Sequence, residues 1–152
     1  MGWRDERMAC VDLTSVPPAR TTVGQLLSAA DALANRVANS LGDYDRPSVV
    51  AACVEDGVLL IVVQLAVLSA GCAFLLVDPA LPRQRVDYML SDSNAVLMLL
   101  DSSLSGPEIS IPCMEVFEHA MVEVFEEAEG ALGELFTPQL SSQLMYICYT
   151  SG

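Results

Sequence analysis

Three short apolar runs, separated by helical segments, constrain the fold of this chain more than any other feature. The runs are Ser48–Val54, Cys72–Val77 and Ala95–Leu100. A strand that is apolar at every position, instead of at every second one, has both faces buried, as in the parallel sheets of α/β proteins. With the short connections seen here, the β-α-β-α-β order predicts an α/β fold, a largely parallel sheet with helices on both faces.

The helices are predicted from apolar spacing and from residues that start or end a helix. Thr22 and Gln25 have the spacing of a capping box, and apolar residues then recur at three- and four-residue steps up to Gly42, which predicts an amphipathic helix. A third helix is expected to begin at Pro82. Its residues divide into a core face, with Val86, Met89 and Leu90, and a solvent face, with Arg83, Arg85, Asp87 and Asp92.

The second helical segment lies in a nearly continuous apolar stretch, Val58–Val77, which is long enough to suggest a membrane-spanning helix. Its flanks are acidic, whereas membrane spans are usually anchored by Arg or Lys. Gly71 also stands where a helix C-cap belongs. The sequence therefore favours a buried helix, Gly57–Ala70, that turns at Gly71 into a strand, and no membrane span.

The segment after the loop at residues 102–107 has weaker patterns. Residues 109–116 are expected to begin as a short strand, and a helical stripe follows at Phe117, Met121, Phe125 and Ala128. Glutamates and the lone His119 occupy the other face, which is typical of a solvated helix and favours neither a metal site nor a catalytic histidine. Residues 130–142 are interpreted as a connector to a buried closing strand, Gln143–Tyr149, in which Tyr146 and Tyr149 are expected to pack in the core.

Charge and cysteine content exclude several functions. Twenty acidic residues against seven arginines and no lysine give a formal net charge of −13, so the chain is expected to repel nucleic acids. The odd number of cysteines, with no CxxC pair, fits neither a disulfide framework nor a zinc site. Reduced thiols packed in the core of a cytoplasmic protein are expected instead, at Cys10, Cys53, Cys72, Cys113 and Cys148. Residues 1–16 show no apolar signal segment.

The run Leu144–Tyr149 is followed by Thr150, Ser151 and Gly152. In parallel α/β sheets, ligands bind outside the carboxyl ends of the strands, and hydroxyl and main-chain N–H groups at such an end can hold an anion. Turns rich in hydroxyl residues and glycine are also common without any ligand. From the residues alone, a phosphate site and an ordinary turn both remain open.

Three sequence blocks together resemble the N-terminal part of the adenylate-forming (AMP-binding) superfamily, which includes acyl-CoA synthetases and the adenylation domains of nonribosomal peptide synthetases. The blocks are residues 22–34, residues 65–90 and residues 144–152. The amino-acid-activating members and the aminoadipate-semialdehyde-type activating proteins look most similar.

The resemblance implies an N-terminal extension at residues 1–20 and an incomplete adenylation domain at residues 21–152, truncated at the start of the phosphate loop. It places Thr150, Ser151 and Gly152 at the phosphates of ATP, and it implies no catalytic or metal-binding residue within the chain. The complete enzyme would use ATP and Mg²⁺ to join a carboxylic or amino acid to AMP, and would then transfer the acyl group to the thiol of CoA or of a carrier protein.

Members of this family continue after the Thr-Ser-Gly turn with further donors and a lysine. We therefore expect a ligase fragment that is inactive in isolation and that binds no cofactor tightly. The alternative is a noncatalytic α/β interaction domain that associates with another chain through its unfinished sheet.

Overall fold

A five-stranded parallel sheet forms the centre of the part of the chain that the computed structural model describes, which comprises residues 8–12, 19–42, 48–55, 57–104, 109–116 and 144–150. The elements in these ranges are, in chain order, β1 (Met8–Asp12), β2 (Ala19–Thr22), α1 (Val23–Leu41), β3 (Val49–Cys53), α2 (Val58–Ser69), β4 (Ala73–Leu76), α3 (Arg83–Asp92), β5 (Ala95–Asp101), β6 (Cys113–Val116) and β7 (Tyr146–Ile147).

The sheet has the strand order β6-β5-β3-β4-β7, and every neighbouring pair is parallel. The central strand, β3, is buried along its whole length. Its Val50 lies beside Phe74 of β4 on one side and Leu97 of β5 on the other. The α/β fold with a parallel sheet is therefore confirmed.

Helices cover both faces of this sheet. The face that carries Val50 and Phe74 packs against α1 and α2. The opposite face, which carries Ala51 and Leu75, packs against α3. Because β4 and β5 lie on opposite sides of β3, helices α2 and α3 lead the chain in opposite directions across the sheet, and crossovers of one hand then place them on opposite faces.

The predicted helix boundaries agree with the structure. The main-chain N–H of Thr22 donates to Gln25 Oε1 over 2.9 Å, and the N–H of Gln25 donates to Thr22 Oγ1 over 3.2 Å, which completes the capping box of α1. Helix α2 ends before Gly71, whose φ of 74° is a left-handed conformation that suits glycine.

The apolar stretch Val58–Val77 is divided between α2, of 12 residues, and the buried strand β4. This division contradicts the alternative of one membrane-spanning helix. Within the described ranges, none of the helices combines the length and the apolar character that crossing a membrane requires.

An antiparallel pair, β1 and β2, precedes α1. Together the two strands contain every described residue of the predicted N-terminal extension, residues 1–20. Strand β2 ends at Thr22, which is also the N-cap of α1.

The predictions for the sheet edges were wrong in three respects. Strand β7 has two residues instead of seven, and Tyr146, which was expected in the core, is 49 % exposed. Cys113 and Cys148 are exposed, whereas Cys53 and Cys72 are buried as expected. The common reason is that β6 and β7 are the outer strands of the described sheet, so each has a neighbouring strand on one side only.

Several predicted features lie outside the described residues. They are the apolar helical stripe from Phe117 to Ala128, the glutamate cluster with His119, the connector at 130–142, and the last two residues, Ser151 and Gly152.

We expect the two sides of α2 to differ sharply in their contribution to stability. Val63 is fully buried against the sheet, whereas Ile61, on the same helix, is 37 % exposed. Val63→Ala should lower the free energy of unfolding by roughly 1–3 kcal/mol because it leaves a cavity in the core, and Ile61→Ala should change it by less than about 1 kcal/mol. Urea unfolding followed by circular dichroism measures both variants. Equal losses would contradict the packing described for α2.

Asp31 on α1 should make stability depend on pH. Partial burial raises the pKa of this carboxyl from 3.8 to about 6. The native state therefore holds the proton more tightly than the unfolded state, and stability falls as the pH rises from about 4 to about 6. Asp31→Asn should stabilise the chain at pH 7, by about 1 kcal/mol after allowance for solvent screening. The gain should shrink toward pH 4 in urea unfolding, and a gain that is the same at both pH values would contradict the burial of this carboxyl.

Candidate functional site

The candidate site lies where the chain leaves β7 at the carboxyl edge of the sheet. Strand β7 runs parallel to β4, so Tyr149 and Thr150 follow β7 at the same edge at which Asp78 follows β4. Thr150 is exposed there. This is the edge of parallel α/β sheets at which ligands bind.

Helix α3 contacts this part of the chain through a stripe of four residues on one of its faces. Arg85, Tyr88, Met89 and Asp92 are spaced by three and four positions, so they lie next to one another along the helix. The stripe borders the buried face of α3 and shares Met89 with it.

Arg85 holds the main chain at Thr150. Its Nη2 donates a hydrogen bond to the carbonyl oxygen of Thr150 over 3.3 Å. Its guanidinium carbon lies 5.7 Å from the centre of the Tyr88 ring and 5.9 Å from the centre of the Tyr149 ring, within the range of cation–π attraction. The cation therefore has two aromatic neighbours and a carbonyl acceptor.

Tyr149 is held by a second set of contacts. Its hydroxyl donates to Asp92 Oδ2 over 2.7 Å and lies 3.4 Å from the carbonyl oxygen of Met89, and its ring meets the Tyr88 ring edge to face at 6.2 Å. Burial, together with the hydrogen bond to Asp92 and the negative charge of that carboxylate, raises the pKa of Tyr149 to about 12. The phenol therefore keeps its proton at neutral pH and remains a donor.

Sequence reasoning assigned Arg85 and Asp92 to solvent and Tyr149 to packing alone. In the structure, Arg85 is partly buried, whereas Asp92 is exposed as expected and also accepts a hydrogen bond from the Tyr149 hydroxyl. The signal that could have identified them is the stripe at positions 85, 88 and 92, beside the apolar stripe of the same helix. Local spacing could not predict which segment contacts that stripe, because the contacting residues are 57 to 65 positions apart in the chain.

A second group of titratable side chains, Cys53, Asp78 and Asp101, lies at or just after the carboxyl ends of β3, β4 and β5. Cys53 is fully buried. Its burial is the main cause that raises the pKa of its thiol, and the negative charges of Asp78 and Asp101 raise it further. The thiol therefore stays protonated and serves as a packing group. The Asp101 carboxylate accepts from the N–H and the hydroxyl of Ser103 over 2.9 and 2.7 Å, which turns the chain after β5.

The structure describes one of the three predicted site residues, Thr150, and brings it to Arg85 of α3. Ser151 and Gly152 lie outside the described residues. In the ranges that the structure covers, no three His, Cys, Asp or Glu side chains converge in a way that could hold a metal ion.

Solved structures share the fold. The superposition on apo MatB from Rhodopseudomonas palustris covers 99 % of this chain and 30 % of the MatB chain, with a TM-score of 0.74 and 18 % sequence identity. The superposition on the AMPPNP-bound form of the nonribosomal peptide synthetase FmoA3 covers 88 % of this chain and 14 % of the FmoA3 chain, with a TM-score of 0.62 and 22 % sequence identity. At these identities the likeness concerns the α/β architecture.

Curated relatives from Bacillus subtilis are closer in sequence. One subunit of plipastatin synthase is 36 % identical over 124 residues, and surfactin synthase subunit 2 is 36 % identical over 126 residues. Each alignment covers 80 % of this chain but only 5 % and 3 % of the respective relatives, so the chain spans a small share of the proteins it matches. The sequence pattern of the AMP-binding enzymes matches residues 3–152. The predicted resemblance is thereby confirmed, and this chain belongs to the family of AMP-binding enzymes.

Proposed function

We propose that this chain is the N-terminal portion of an ATP-dependent ligase that activates a carboxylic or amino acid as its adenylate. The observation that carries the proposal is the exposed Thr150 at the carboxyl edge of a parallel sheet, within a chain of the AMP-binding enzyme family. In this proposal residues 21–152 belong to the adenylation domain, and residues 1–20 form an extension that includes β1.

Thr150, Ser151 and Gly152 would bind the phosphates of ATP. Their hydroxyl and main-chain N–H groups donate hydrogen bonds to anionic oxygens, and a glycine allows the main chain to approach the anion closely. Donors that are already in place when charge develops stabilise the transition state, and the loss of one such donor commonly slows a reaction by about 10²–10³.

The reaction would have two steps. A carboxylate oxygen of the substrate attacks the α-phosphorus of ATP, and the bond to pyrophosphate breaks, which gives the acyl adenylate. A thiol then takes the acyl group and AMP leaves. The subunits of plipastatin synthase and surfactin synthase among the relatives favour an amino acid as the substrate and a carrier-protein thiol, more than CoA, as the acceptor.

The residues of this chain supply little positive charge to neutralise the phosphates of ATP. It has a net charge of −13 and no lysine, and the guanidinium of Arg85 is engaged by Thr150 and two rings. Mg²⁺, when bound, would neutralise part of the phosphate charge. Mg²⁺ in nucleotide-dependent enzymes is commonly held by the substrate phosphates together with one or two carboxylates.

The alternative of a noncatalytic interaction domain is not favoured. The match to an enzyme family covers residues 3–152. The exposed apolar side chains of Leu144, Met145 and Tyr146 are explained by the position of β7 at the edge of the described sheet.

The 152-residue chain alone should show no carboxylate-dependent exchange of pyrophosphate into ATP. Residues 1–152 carry a net charge of −13 and no lysine, so little within them opposes the phosphate charge. Isotope exchange with a mixture of amino acids, measured against a reaction without carboxylate, tests this. Exchange above that control would overturn the prediction.

A chimera tests the role of Thr150. When this chain replaces the matching segment of surfactin synthase subunit 2, we expect exchange activity, and Thr150→Ala should lower its kcat/KM by roughly 10²–10³ because one phosphate donor is lost. Thr150→Ser keeps the hydroxyl and is the matched control, with activity expected within about threefold of the parent. Equal activity of the parent, T150A and T150S would contradict the proposed phosphate site.

A further inference from the structure

The position of Thr150 depends on side chains of α3 more than on the sheet. Two register pairs join β7 to β4, Phe74 with Tyr146 and Leu75 with Ile147. One further main-chain bond runs from the N–H of Phe74 to the carbonyl of Met145, over 2.8 Å. Beyond Ile147 the strand ends, and residues of α3 make the main-chain hydrogen bond at Thr150 and the 2.7 Å hydrogen bond to the Tyr149 hydroxyl.

These contacts form two anchors at different heights along the helix. Arg85 bonds the carbonyl of Thr150, and Asp92, seven positions later, bonds the hydroxyl of Tyr149. Seven residues correspond to about 10 Å along a helix. Two anchors that far apart set the direction of the main chain as well as its position, which a single contact would not do.

Arg85 is placed where a helix does not favour a cation. It is the third residue of α3, in the first turn, where the helix dipole is positive and a positive side chain is destabilising. The rings of Tyr88 and Tyr149 and the carbonyl of Thr150 offset this cost. A guanidinium suits this arrangement because it is planar, with its N–H donors in the plane and its faces available to aromatic rings.

We infer that Arg85 is a positioning residue, which together with the Asp92–Tyr149 hydrogen bond fixes the main chain at Thr150 and so sets the geometry of the proposed phosphate loop. This inference rests on the proposed function, and it adds a role for α3 that the Thr-Ser-Gly turn alone does not contain. Arg85 acts through the Thr150 carbonyl and not by touching the phosphates.

Hydrogen exchange of the 152-residue chain, followed by mass spectrometry, tests the anchors without any nucleotide. In Arg85→Ala and in Tyr149→Phe, amides of residues 148–150 should exchange roughly five- to tenfold faster, because each variant removes one hydrogen-bonded anchor. Amides of β3 and α2 should keep their protection. Arg85→Lys retains a cation and a donor and should restore most of the slow exchange.

Gln84→Ala is the matched control, since Gln84 is an exposed polar residue of the same helix. Its exchange at residues 148–150 should equal that of the parent. Unchanged exchange at 148–150 in both R85A and Y149F would overturn the inference. Equal acceleration in β3 would also overturn it, because Arg85 would then support the fold in general.

The chimera described above separates this inference from the proposed function. If the parent chimera is active, R85A should lower kcat/KM for ATP roughly tenfold, and R85K should recover most of it. Full activity of R85A would reject the positioning role and leave the proposed function intact. An inactive parent chimera would count against the proposed function, while hydrogen exchange would still decide whether α3 anchors residues 149 and 150.

Discussion

The burial of β3 on both faces is the constraint on which the rest of this structure depends. A strand without a polar face requires a neighbour on each edge and a helix on each side. Strands β4 and β5 supply the edges, α1 and α2 cover one face, and α3 covers the other. Because both flanking strands run parallel to β3, their carboxyl ends meet at one edge of the sheet, and the candidate site lies at that edge.

Helix α3 connects this fold to the site. Its buried face, with Val86, Met89 and Leu90, is held against the sheet. The adjacent stripe, which includes Arg85 and Asp92, binds the residues that follow β7. The packing that stabilises the sheet and the contacts that hold Thr150 are therefore properties of one rigid element, which is how a scaffold keeps a loop in a defined geometry.

Much of the fold could be predicted because its signals are local. The capping box at Thr22, the left-handed turn at Gly71 and the three apolar runs each act over a few residues, and each was confirmed. Edge positions were less predictable, since the exposure of Tyr146 and Cys113 depends on which strands lie outermost. The turn chemistry predicted Thr150 as a phosphate-binding residue, and that role stays a prediction. The contact of Thr150 with Arg85 joins residues 65 positions apart and required the packed structure.

The proposed function requires Thr150 to lie at the edge of a pocket for the phosphates of ATP. A crystal structure of the chimera with a nonhydrolysable ATP analogue would show this position directly. We expect a phosphate oxygen within about 3 Å of the Thr150 hydroxyl, beyond the carboxyl end of β7. A structure in which the analogue is bound with its phosphates away from that edge, and with no contact to Thr150, would contradict it.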